Sequence, residues 1–449
     1  MTRVSSGTSS SQSVHSSASL PFSSVSPHER VFSMRDQAAL WFSLGVGLLV
    51  MQVGAYLVPA MGTRQALFAI VIGSLLGVSL LAWVTHLAAV RGLNSASLMQ
   101  MTYGLRFAKQ PVLFNIVQLL GWATFELVIM RDGLSAIIHR IQPLSMLWLN
   151  MISTLFLGAI LWLLISAPMA KVIRRFIGRI GLPLAVLSLI WLTIQFALHL
   201  KNADGGFTAF WLRPSSGAMS AISAIDLVIA MPISWLPLVA DYARFSQNPE
   251  AKTAFKGTWM GYLIANIWCY TLGILIVSTA SADSSLVATI LMAQFGIVAL
   301  GFILVDELDN AYGDLYSGSV SMNHIQPRYS VKNWGKTLLV VSILAALVLP
   351  MHRLEPFLLL LSSIFVPLFG VIIARLSVRS DNHATQLIHL PSVCIWLLGI
   401  AVYHVTPMLW PSLGSSVPSL AFTLLLGWLL HRRIAAQHLA KATVHSKQP

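Results

Sequence analysis

The run Asp306-Glu307-Leu308-Asp309-Asn310 lies inside a long apolar stretch, and Asp314 follows about one turn later. The chain has 15 acidic residues, and four of them, Asp306, Glu307, Asp309 and Asp314, fall within nine positions. Carboxylates at membrane depth are costly, and they face a cavity, an ion path or one another. Asp306, Asp309, Asn310 and Ser317 follow i, i+3, i+4, i+11 spacing, which puts them on one face of a helix. Such a stripe suits a cation or a polar solute. The bland alternative is an extracellular loop over 306–314, where acids cost nothing. Against it, the apolar run from Ile297 to Val305 leads straight into the acids, and the next basic residue is Arg328.

Composition agrees with a membrane-embedded reading. The chain is 56% hydrophobic and 10% charged, with a mean hydropathy of +0.76; soluble domains carry roughly 25% charged residues. A net charge of +13 would suggest nucleic acid only if the basic residues formed a patch. Here they are spread between apolar segments, so nucleic acid is not an expected partner and the bilayer is. Cys269 and Cys394 both lie in apolar runs without metal-ligand spacing and read as buried packing residues.

A spanning helix needs about 20 mostly apolar residues. Candidates lie near 38–60, 66–90, 111–131, 147–166, 181–199, 222–240, 257–280, 288–322, 336–351, 355–374, 388–406 and 412–430, about twelve in all. The eighth is too long for one plain helix, so a short re-entrant or interfacial piece is expected at 284–293. With the N-terminus inside, 22 of the 28 Lys and Arg residues fall on the cytoplasmic side. The positive-inside rule therefore places both termini in the cytoplasm of a cell-membrane protein. Residues 1–30, Ser-rich, read as a disordered cytoplasmic tail and not a secretion signal, and 434–449 as a second tail. A single transmembrane domain is expected over 31–433.

Two spans carry helix-breaking residues in matching places. The first contains Gly45, Gly47 and Gly54, with Gln52 as its amide; the sixth reads Met231-Pro232-Ile233-Ser234-Trp235-Leu236-Pro237. Proline at 232 and 237 removes two backbone donors. Interrupted segments at corresponding positions of two five-helix halves point to a transporter's mid-membrane site. The halves are 38–199 and 222–374, followed by two extra helices over 388–430. In the third span Gln118, Trp122 and Glu126 fall at i, i+4 and i+8. An indole beside an amide and a carboxylate suits a flat heteroaromatic ring, stacked on the indole and donating to the carboxylate. Trp235 would cover the other ring face.

These residues resemble the nucleobase:cation symporter-1 family over roughly 31–430. The resemblance rests on Trp41-Phe42-Ser43-Leu44-Gly45-Val46-Gly47 with Gln52-Val53-Gly54-Ala55, and on Gly121-Trp122. It rests also on Pro232-Ile233-Ser234-Trp235 through Asp241-Tyr242-Ala243-Arg244-Phe245, and on Leu315-Tyr316-Ser317-Gly318. It is closest to the cytosine-permease and hydroxymethylpyrimidine-permease branch. It implies an all-α, LeuT-type five-plus-five inverted repeat with two added helices, importing a nucleobase or related heterocycle with Na⁺ or H⁺ and no other cofactor. It also implies substrate contacts from Trp122, Glu126, Gln52 and Trp235, with Tyr316 nearby. Gln118 joins them from the third-span stripe. Leu48 and Met51 would offer carbonyls to a cation completed by Asp306, Asp309 and Asn310. The sequence departs from the family in having Asp309-Asn310 where Na⁺-coupled members have a hydroxyl pair, and a carboxylate at Glu126 where they have a carboxamide.

Two other classes compete. A proton-coupled amino-acid or amine carrier of the same fold would use the acidic stripe for an ammonium group. A membrane-embedded enzyme has no support, since no His-x-x-x-His pair, Gly-x-Ser-x-Gly turn or cysteine–histidine constellation occurs in the spans.

Overall fold

The computed structural model describes residues 24–280, 284–349, 354–378 and 386–445. Most of the expected N-terminal tail, residues 1–23, lies outside the described residues, as do Arg353, Arg379 and 446–449. Among the described residues all regular structure is helical. The helices are α1 (Met34–Ser43), α2 (Leu48–Ala60), α3 (Thr63–Arg91), α4 (Ser95–Tyr103), α5 (Lys109–Ile141) and α6 (Met146–Ser166). A short α7 (Met169–Lys171) leads through a π-helical stretch, Val172–Gly181, into α8 (Leu182–Asn202) and α9 (Gly206–Trp211). Then follow α10 (Ala221–Ser234), α11 (Leu236–Ala243), α12 (Thr253–Thr279), α13 (Leu286–Met292) and α14 (Gly296–Ile325). The chain closes with α15 (Val331–Val348), α16 (Leu354–Ser377), α17 (Leu390–Leu409) and α18 (Ser416–His445).

Nine of the described helical segments are long and apolar enough to cross a membrane, and α1 with α2 forms a tenth span bent by 56°. Two further 30-residue helices, α14, whose acids set it apart, and α18, fall outside that count; the twelve expected spans include both. The short α13 occupies the place of the expected interfacial piece. Two tail boundaries shift. Residues 24–30 are docked, not free: Val25 N–H donates to the Gly92 carbonyl at 2.9 Å and Arg30 to the Ala89 carbonyl at 2.6 Å. At the other end α18 continues through 434–445, because nothing in that polar stretch breaks a helix. Cys269 is buried as expected, but Cys394 is exposed on α17; an apolar run in a membrane helix faces lipid as readily as core.

Two groups of helices pack separately and then meet. α1, α2, α3, α10, α11 and α12 form one bundle, and α5, α6, α14 and α15 a scaffold against which it lies. In the bundle α2 and α12 approach backbone to backbone. A Cβ at Gly54 would stand 2.2 Å from the Tyr270 carbonyl, and one at Gly273 would stand 2.0 Å from the Met51 carbonyl. Only glycine permits that spacing at both places.

The two breaks differ in depth. Between α1 and α2 the chain leaves the helix over Leu44–Gly47. In the sixth span, helical turns run through Pro232 and pause only at Trp235, so the expected deep interruption is a shallow one. Pro237 falls in the first turn of α11, where a missing N–H is harmless. The carbonyl that Pro232 cannot serve, that of Val228, accepts instead from the Tyr270 hydroxyl at 3.4 Å. The local conflict that proline creates is settled by a neighbouring side chain, and the helix goes on.

Candidate functional site

Each break leaves backbone groups without helical partners, and the scaffold supplies them. At the first break, Asn310 of α14 donates through Nδ2 to the Val46 carbonyl at 3.1 Å. Glu307, one turn earlier, accepts the N–H of Leu48, the first residue of α2, and also accepts from Asn310 Nδ2 at 3.1 Å. A carboxylate thus caps a helix N-terminus, where free N–H groups and the helix dipole favour negative charge. At the sixth-span break, Gln118 of α5 donates to the Ser234 carbonyl at 3.4 Å and Asn115 to the Pro237 carbonyl at 3.0 Å. One amide of α14 therefore holds the first break, and two amides of α5 hold the break in the sixth span.

Between bundle and scaffold lies a narrow cavity of about 20 Å³. Its bundle wall is Leu44, Gly47, Leu49, Val50, Met231, Ser234 and Trp235; its scaffold wall is Trp122, Glu126, Glu307, Asn310 and Asp314. All ionisable lining residues thus come from α5 and α14. A cavity of this size holds about one water and no ring, so a ligand enters only when the walls part. Glu126 and Glu307, both on the scaffold wall, lie within hydrogen-bonding reach of each other. Trp122 is held by Phe125 and Phe357, with ring centroids at 6.1 and 5.2 Å. Trp235 rests edge-on against Trp41 at 6.1 Å, and Trp41 is fixed by its indole N–H to Gln37 at 3.2 Å. Three buried polar atoms of the lining have no protein partner: Trp122 Nε1, Glu126 Oε2 and Asn310 Oδ1.

The structure brings Trp122, Glu126, Trp235 and Asn310 together and separates other residues expected with them. Gln118 is buried one turn from Trp122, but it serves the sixth-span carbonyl and does not line the cavity. Gln52 is half-buried on α2, outside the lining. Tyr316 lines a different cavity, of about 450 Å³, together with Arg244, Tyr312, His324 and Lys332. Beside the larger cavity three tyrosines pack together. Tyr242 donates its hydroxyl to the Gly313 carbonyl at 3.1 Å, and Tyr316 packs on Tyr242 at 5.5 Å and on Tyr312 at 6.1 Å.

The expected cation cluster divides in two. Asp306 accepts from the Ser43 hydroxyl at 2.7 Å, and Asp309 lies beside the same hydroxyl with both of its own oxygens unpartnered. Glu307, Asn310 and Asp314 instead face the narrow cavity. Leu48 meets this region through its N–H and not its carbonyl, because α2 begins there and the N–H is the unpaired group. The Met51 carbonyl faces Gly273 of α12, away from α14. Sequence reasoning assigned no role to Glu307 or Ser43. The i, i+3, i+7 spacing of Glu307, Asn310 and Asp314 was the available signal.

The sequence profile of a family described as permeases for cytosine/purines, uracil, thiamine and allantoin matches residues 24–428. The chain belongs to this family. A search of curated protein sequences gave no significant match. Among solved structures, this permease is similar to Mhp1, a nucleobase-cation-symport-1 family transporter in a closed conformation with bromovinylhydantoin bound. They share 17% identity over 93% of this chain and 95% of that one, with a TM-score of 0.74. A Na⁺-coupled sialic acid symporter follows at 12% identity, covering 90% and 91%, with a TM-score of 0.62. A manganese transporter from Eremococcus coleocola, in complex with an aromatic bis-isothiourea substituted compound, gives 13% identity over 90% and 95%, with a TM-score of 0.57. These likenesses establish the LeuT-type fold. The permease is a multi-pass membrane transporter of nucleobase-type substrates, not an enzyme.

Proposed function

We propose that this permease imports a planar nitrogen heterocycle across the cell membrane, a pyrimidine such as cytosine or hydroxymethylpyrimidine, by cation-coupled alternating access. The observation that carries the reading is the placing of Trp122 and Glu126 one turn apart on the same cavity wall, each with an unpartnered polar atom. The indole offers a ring face, and the carboxylate accepts from an amino group and an adjoining ring N–H. Trp235, on the moving wall, closes over the opposite face. Gln118 acts at one remove by holding the sixth-span break, and Tyr316 acts on the exit path. Gln52 gains access to the ligand only in a widened state.

Coupling belongs to Asp306 and Asp309 with Ser43, where the scaffold meets the first break. Two adjacent carboxyls in a low-dielectric setting do not both ionise without a counter-charge, so the pair takes a proton or a Na⁺. We favour the proton, because the second carboxyl then needs no further ligand. Orientation follows the basic residues: both termini are cytoplasmic, and the larger cavity beside Arg244 opens inward. The decisive measurement is binding of a labelled nucleobase panel to purified protein with and without Na⁺. Saturable pyrimidine binding supports the reading, and preference for an aliphatic amine or amino acid overturns it.

A further inference from the structure

The narrow cavity is lined by three carboxyl groups, Glu126, Glu307 and Asp314, and by no lysine, arginine or histidine. Asp309 stands next to them on α14. Basic residues nearby are spent elsewhere. Arg131 pairs with Asp132 at 2.8 Å and donates to the Ala346 carbonyl at 2.7 Å. Arg244 lines the larger cavity and not the narrow one. The lining therefore supplies no counter-charge of its own.

Glu307 accepts from two donors, the Leu48 N–H and Asn310 Nδ2, and lies within hydrogen-bonding reach of Glu126. Glu126 is only 4% exposed and keeps one oxygen unpartnered, and Asn310, 3% exposed, keeps its Oδ1 unpartnered as well. The free polar atoms of the lining are thus two acceptors and a single donor, Trp122 Nε1. A buried charge left unpaired is costly, and what lies against it must neutralise it. A flat cation meets both demands, pairing with the carboxylates while its face lies on the Trp122 ring, which attracts positive charge.

We infer that the cavity takes its heterocycle as a cation, an amino-substituted ring bearing one positive charge at a ring nitrogen, in preference to the neutral base. The inference rests on the heterocycle reading proposed above and specifies its charge. The amino group of such a ring donates to Glu126, and the ring's charge lies against the carboxyl groups around it. Glu307 and Asp314 supply the surrounding negative potential. A ring that presents a carbonyl in place of that amino group, such as uracil, brings acceptors against acceptors and is rejected.

The test uses the full-length purified protein and calorimetric titration at pH 7.5 with three probes: 4-aminopyrimidine, its permanently charged salt methylated at the ring nitrogen away from the amino group, and uracil. The charged salt is expected to bind about tenfold or more tightly than its neutral parent, in keeping with close charge pairs in desolvated sites. The parent should gain affinity as the pH falls and its ring protonates. Glu126→Gln and Asp314→Asn, made singly, should each erase most of the preference for the salt. Equal or better binding of the neutral parent or of uracil by the wild type overturns the inference alone. Binding of none of the three overturns the heterocycle reading and this inference with it.

Discussion

The Glu307 carboxylate accepts the main-chain N–H of Leu48, so a charge on the scaffold caps a helix that belongs to the bundle. A buried N–H deprived of its acceptor costs about 1–3 kcal/mol. Glu307→Ala should therefore lower the thermal midpoint of the purified protein, while Glu307→Gln, which keeps an acceptor oxygen, should retain most of it. Equal melting of the Ala variant and the wild type would show that the cap contributes nothing to stability.

Trp122 presents the ring face on which a heterocycle would lie. Stacking on an aromatic side chain is worth about 1–3 kcal/mol per base, or roughly ten- to a hundredfold in affinity. Trp122→Ala should lose that much binding with membrane insertion intact, and Trp122→Phe should recover part of it. Normal transport by the Ala variant would remove the platform from the mechanism.

Asp306 and Asp309 share the neighbourhood of Ser43, apart from the narrow cavity. If this pair carries the coupled proton, vesicle uptake is driven by an inward pH gradient without Na⁺. Asp309→Asn then abolishes accumulation but spares exchange of labelled for unlabelled substrate. Strict Na⁺ dependence at constant pH, with no response to a protonophore under clamped potential, would assign the pair to Na⁺ instead.

Gly273 and Gly301 form a matched pair of substitutions. A Cβ at 273 meets the Met51 carbonyl at 2.0 Å, whereas one at 301 meets nothing within 4 Å. Gly273→Ala should cost about 1–3 kcal/mol through overpacking against rigid backbone. Gly301→Ala should be neutral or stabilise the helix by roughly 0.5–1 kcal/mol. Detergent unfolding curves of the two variants test the contrast, and similar midpoints would refute it.

The sequence made the breaks legible because glycine and proline act locally, and the spans legible because hydropathy is a sum over about twenty residues. It did not reveal which acid faces which space. Asp306 and Glu307 are neighbours in the chain but lie about 100° apart around the helix axis, and the rotation of α14 is set by what it packs against. For the same reason Gln118 shares a helical stripe with Trp122 and Glu126, yet reaches past the cavity to the Ser234 carbonyl. Leu48 was expected to offer a carbonyl, but which backbone group is free depends on whether a helix ends or begins there. Tyr316 lies two positions after the cavity-lining Asp314, on a part of α14 that faces the larger cavity.

Because Glu126, Glu307 and Asp314 all belong to α5 and α14, rocking of the opposite wall moves no ionisable lining group through the electric field of the membrane. The return of the unloaded carrier is then insensitive to voltage on their account. A loaded half-cycle feels the potential through the charge of its cargo, at about 2.3 kcal/mol per elementary charge per 100 mV for full passage. On that step a cationic ring would add its own charge to that of the coupled cation and a neutral ring would add none, so the wall that carries the charges decides which step the cell's voltage can drive.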